Sequence, residues 1–165
     1  MAVSDQILRH GLASGVAGLI ATLPMSAAMK KMKELLPWWQ RAPLPPYRVT
    51  RQLEKAIGIE DKINDTQHQT ATAVAHFGYG AAAAVPFAAL AYRLPLPTTM
   101  SGILYGLLVW AGSYLGWLPI VGVMEPATKH PWQRNALMIV AHLVWGSTLG
   151  LIYGALRDRQ STARR

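Results

Sequence analysis

Two histidines open the same short pattern inside apolar stretches. One is His76-Phe77-Gly78-Tyr79-Gly80; the other, sixty-six residues on, is His142-Leu143-Val144-Trp145-Gly146. An imidazole titrates near neutrality, donates and accepts hydrogen bonds, and ligates metals. Three chemistries fit a pair of them in apolar surroundings. The rings could stabilise a helical bundle by bridging helices, or respond to pH there. With His68 and Glu125 they could form a polar cluster for a carrier or proton-conducting module. They could also ligate haem or a metal between them. Two histidines suffice for haem but are few for a tight metal site. The helix-bridging or pH-responsive pair is the leading expectation, with no cofactor and no metal.

Those histidines need helices that cross a bilayer. Four charge-poor runs are long enough for about 30 Å of hydrocarbon. They cover residues 11–29, 70–92, 98–124 and 135–156. The first is read as a span rather than a cleaved leader, because it is long and Gly-rich and three more runs follow. The expected fold is all-α: a single membrane domain, 1–165, built as a four-helix transmembrane bundle. Spans two and four run in the same direction, so His76 and His142 lie at a similar depth, roughly 10 Å below the surface on the loop side. His68 and Thr72 continue the His76 stripe outward, and Glu125 and His130 lie on the same side.

Residues 30–69 form the long polar loop. It opens with Lys30, Lys31 and Lys33, then Trp38 and Trp39, which suit the headgroup zone. A helix is expected over 47–57. Val49, Leu53, Ala56 and Ile57 share one face, and Arg48, Arg51, Gln52 and Lys55 another. Such a helix either lies flat in the interface or caps the bundle end. Gly58 should end it. The Arg93–Pro97 connection is tight, which makes spans two and three antiparallel neighbours.

Net charge is +8, charged residues are 15% of the chain, and mean hydropathy is +0.19. Basic residues beside membrane spans meet anionic headgroups, so the expected partner is the lipid bilayer, with no nucleic acid. Ten Lys and Arg fall on the loop side and six on the side of the termini. That leans toward a cytoplasmic loop, although the basic tail pulls the other way. No cysteine is present, which excludes disulfides and thiolate chemistry. No nucleotide-binding loop, dinucleotide fingerprint, HExxH or nucleophile elbow occurs. No catalytic residue is assigned, and a non-enzymatic protein is expected.

Small residues recur at four-residue spacing in every span. They are Gly11/Gly15, Gly80/Ala84, Gly102/Gly106 with Gly112/Gly116, and Gly146/Gly150/Gly154. Such stripes let helix backbones approach closely. Contact within one chain is expected, with a homodimer as the alternative. Leu23-Pro24 with Met29 is echoed by Leu118-Pro119 with Met124. With the paired histidines, this reads as two helical hairpins in tandem, or as coincidence in a biased composition.

Several of these motifs together carry a family resemblance: Pro43-Leu44-Pro45-Pro46 after the first span, His76 opening the second, and Gly102-x3-Gly106. Pro131-Trp132, His142-Leu143-Val144-Trp145 and Arg157-Asp158 complete it. The chain resembles the YagU-like bacterial inner-membrane proteins, a domain of unknown function. The resemblance runs from about the first span to the tail. It implies a multi-pass protein of the bacterial inner membrane and brings no established catalytic residues. The first loop departs from the family in length and content, so no loop role is carried over.

Overall fold

The computed structural model describes residues 3–162, with side chains placed over 6–159. Seven α-helices form: α1 (Val3–Leu35), α2 (Pro45–Ala56), α3 (Asp65–Ala84), α4 (Phe87–Arg93), α5 (Thr98–Ala111), α6 (Leu118–Ile120) and α7 (Trp132–Thr162). No strand forms among the described residues. Four helical units are long and apolar enough to cross a membrane: Gln6–Leu35, Asp65–Arg93, Thr98–Ile120 and Trp132–Arg159. The chain is an all-α, multi-pass membrane protein.

Prolines decide where the spans break. Pro86 has no N–H to give Ala82 and crowds that carbonyl, so α3 stops at Ala84 and α4 restarts at Phe87. Val85 closes the last turn of α3 with a short bond to Ala82 O, 3.2 Å. Pro119 acts likewise on the third span. The turns just before it widen into a π-helical segment over Gly112–Trp117, where Leu118 N–H reaches back to Ser113 O. Gly116 there has φ −107° and ψ −108°, outside helical values. Pro24, by contrast, sits inside an unbroken α1. The third span is therefore interrupted and ends near Ile120, rather than running on to residue 124.

The spans form a ring. α1 packs on both α3 and α7, and α5 packs on α7. The tightest seam is α5 on α7. A Cβ on Gly102 would strike the carbonyl oxygen of Gly146, and one on Gly106 that of His142. Gly150 lies equally close to Thr98 O, and Gly154 to the Thr98 side chain. α1 meets α3 through Gly18 and Gly80, and Ser14 Oγ donates to Ala84 O at 2.6 Å. These stripes are consumed inside one chain. Gly112 and Gly116 are not packing residues: no atom would meet a Cβ at either, and they belong to the π-helical segment. Gly11 and Gly15 make only ordinary contacts at 3.6 Å.

The fourth side of the ring is different. α4 reaches α5, but α3 leans away from it, so long side chains join the two helices. Tyr105 donates to Ala83 O at 2.6 Å, and the Tyr79 and Ser113 hydroxyls meet at 3.0 Å. In the tandem-hairpin reading, α1·α3 corresponds to α5·α7 and α1·α7 to α5·α3. The last of these is the seam that stays open.

α2 packs against α3 and caps the bundle end. It starts at Pro45, two residues before the expected boundary, because prolines suit a first turn that needs no N–H donors. Its buried face is Pro45, Thr50 and Glu54, while Leu53 and Ile57 point outward and are more than half exposed. The apolar stripe read from the sequence is thus split: Leu53, Ala56 and Ile57 lie outside, and Val49 packs against the core. Gly58, at φ +71°, ends the helix: its N–H bonds Lys55 O and Ile59 N–H bonds Glu54 O.

Adding one methyl at a backbone-to-backbone contact should cost about 1–3 kcal/mol through overpacking. Gly106→Ala and Gly146→Ala should each lower the thermal midpoint in detergent. Gly78→Ala, with no atom within 4 Å of the added carbon, should leave it close to wild type.

Candidate functional site

Because α3 diverges from α5, the ring surrounds an open-sided cavity of about 260 Å³. All four spans line it, and Pro45, Pro46, Val49 and Thr50 of α2 close its loop-side end. The wall is mainly apolar, with Met25, Met29, Val109 and Met138 among its residues. Aromatic rings supply much of the rest: Tyr79, Tyr114, Trp117 and Trp145.

Both singled-out histidines are on this wall, His76 from α3 and His142 from α7, helices that stand diagonally in the ring. Neither bridges two helices by a hydrogen bond. His142 is 5% exposed, and its Nδ1 lies 2.7 Å from Met138 O of its own helix. A carbonyl only accepts, so Nδ1 carries the proton. In the neutral ring, Nε2 is then a bare acceptor. Tyr114 stands edge-on to this ring, with centroids 5.9 Å apart and planes at 87°. The Nε2 of His76 is buried with no protein partner. Several other polar groups on the wall already bond within the protein. Thr22 bonds Gly18 O, Thr50 bonds Pro46 O, and Tyr79 and Ser113 bond each other.

His68 and Glu125 do not join them. His68 sits in the first turns of α3, started by a capping box in which Gln67 N–H bonds Asn64 Oδ1 and Asn64 N–H bonds Gln67 Oε1. There its Nδ1 donates to both carboxylate oxygens of Glu54, at 2.8 and 2.7 Å. Both residues are buried, at 1% and 4% exposure, and Tyr47 stands edge-on to the ring at 4.1 Å. The pair fastens the end of α2 to α3. Glu125 is exposed at the far turn, 3.6 Å from Lys129 Nζ, where its backbone oxygen also accepts from His130. A single cluster of His68, His76, His142 and Glu125 is therefore not what the fold builds, because α2 claims His68 and the turn after α6 carries Glu125 away.

The cap is pinned at its other end by α7. Arg134 donates to Gln40 O at 2.7 Å and Pro43 O at 3.3 Å, holding the turn that feeds α2. His10, near the start of α1, meets the Tyr153 hydroxyl at 3.3 Å. Among the described residues, no group of three or more His, Asp or Glu converges to hold a metal ion. Sequence reasoning passed over Glu54, Tyr79 and Ser113. Glu54 did carry a signal, as the one acidic residue among Arg48, Arg51 and Lys55.

A family model matches residues 25–151, that of DUF1440, described as a protein of unknown function. This agrees with the YagU-like resemblance and spans the cap, α3 to α6, α1 from Met25 and α7 as far as Leu151. No curated protein and no solved structure matches the chain.

Removing one partner of a buried hydrogen-bonded pair leaves the other unsatisfied, at about 1–3 kcal/mol. Glu54→Ala should therefore free α2 while the spans persist. Hydrogen exchange should show residues 45–57 opening much faster, with protection in α5 and α7 unchanged.

Proposed function

The chain belongs to the DUF1440 family, a family of unknown function, and from that premise we propose a non-enzymatic membrane protein that holds a membrane-soluble ligand in the cavity between α3 and α5. The observation that supports this is the buried Nε2 of His76, without a protein partner, on the same largely apolar wall as His142, whose Nδ1 is committed to Met138 O. A buried polar atom without a partner is costly and uncommon, so it invites a ligand group to complete it. An apolar cavity with a few converging polar groups is the usual form of a small-molecule site. The histidines then serve binding more than helix bridging.

The membrane we propose is the bacterial inner membrane, with the long loop cytoplasmic. Lys30 and Lys31 are exposed at the end of α1 and suit anionic headgroups. Trp38 and Trp39, both largely exposed, suit the headgroup zone beside them.

A protein purified in mild detergent should carry a co-purifying apolar molecule, found by mass spectrometry of a solvent extract. Ala75→Trp and Val109→Trp, which fill the cavity, should lose it and still fold. A clean extract from wild type would contradict the reading. A Soret band, or stoichiometric metal lost on replacing His76 or His142, would put haem or metal ligation in its place.

A further inference from the structure

We infer that the ligand is a phenol-type amphiphile, a planar ring bearing a hydroxyl and an apolar tail, whose hydroxyl donates to Nε2 of His142. This rests on the reading of the cavity as a ligand site and names what that site selects.

The first argument is the tautomer. Met138 O fixes the proton on Nδ1 of His142, so the neutral ring offers the cavity a lone pair and no donor there. A ligand group able only to accept gains nothing at that point. A hydroxyl completes it. The second argument is the wall. Tyr114 and His142 are already set edge-on, and Trp117 and Trp145 line the same cavity. Aromatic partners favour a ring placed between them over a branched aliphatic group. The third is the way in. α3 and α5 are joined at this level by side chains alone. Tyr79 meets Ser113 by one hydrogen bond and stands 6.0 Å from Trp117, both rings being about two-fifths exposed on the outer face. A tail can pass between those two helices toward lipid without breaking any backbone contact. The π-helical segment supplies Ser113, Tyr114 and Trp117 to this side of the cavity.

The test uses the full chain in lipid nanodiscs and three probes of one length: 4-octylphenol, 4-octylanisole and octylbenzene. The readout is the shift of the thermal midpoint with probe concentration in the bilayer. The phenol should bind at least tenfold more tightly than both others, because a site that needs a donor rejects analogues lacking it. The anisole is larger than the phenol and octylbenzene smaller, so size alone cannot produce that order. In His142→Leu the three should come within about threefold of one another. Equal binding of all three to wild type would overturn the inference and leave a ligand site standing. No binding of any would overturn both. A phenol preference that survives His142→Leu would remove His142 as the acceptor. The wild-type series decides the first two outcomes even if that variant does not fold.

Discussion

The architecture depends on how closely α5 can approach α7. In a bilayer, helices gain little by burying apolar surface against one another, so contact must come from close packing. Gly102 and Gly106 against Gly146 and Gly150 bring two backbones together along that seam, and Gly18 against Gly80 does the same for α1 and α3. With those seams tight, and α1 lying on α7, the ring has one side left over. That side is bridged by Tyr79 and Tyr105 instead of glycine. The cavity is the space that long side chains leave where small ones would have closed it.

Proline shapes the same space from both flanks. Unsatisfied backbone groups are expensive in hydrocarbon, so a break is tolerated only where protein surrounds it or a cavity lies beside it. Pro86 ends α3 and lets α4 turn toward α5, which closes the far end of the wedge while the near end stays open. Pro119 widens the turn before it, and the widened turn carries Ser113 and Tyr114 to the wall. Over the top lies α2, held by Arg134 at its entry and by Glu54 with His68 at its exit. Thr50 and Glu54 can face inward because Thr50 bonds Pro46 O and Glu54 is satisfied by His68. Leu53 and Ile57 are left outside, which suits a helix beside lipid rather than water.

Much of this was legible in the chain. Runs without charge gave the four spans, and His-x3-Gly singled out two imidazoles that both reach the cavity wall. The glycine stripes marked the real seams at Gly80, Gly102, Gly106, Gly146 and Gly150. Other parts needed three dimensions. Spacing cannot separate the glycines of a seam from Gly112 and Gly116, which serve a widened turn. A single-helix pattern makes α2 amphipathic but does not say which side faces the protein. A buried carboxylate overrode hydrophobicity there. His68, read as the outer part of a histidine stripe, pairs with a residue fourteen positions earlier, across a turn that residue typing does not fix. Nor does sequence say which ring nitrogen is free, since that follows from the 2.7 Å approach of Nδ1 to Met138 O.

That last detail carries the functional account. A cavity with one committed acceptor selects its occupant chemically, whereas a plain void selects only by size. Nitrogen-15 NMR of the histidine-labelled protein in nanodiscs, with His142 assigned from its Gln variant, reads the tautomer directly. The account predicts an unprotonated Nε2 for His142 at neutral pH, shifting toward the hydrogen-bonded value when 4-octylphenol is added. A proton on Nε2, or a resonance that the phenol leaves unmoved, would contradict it.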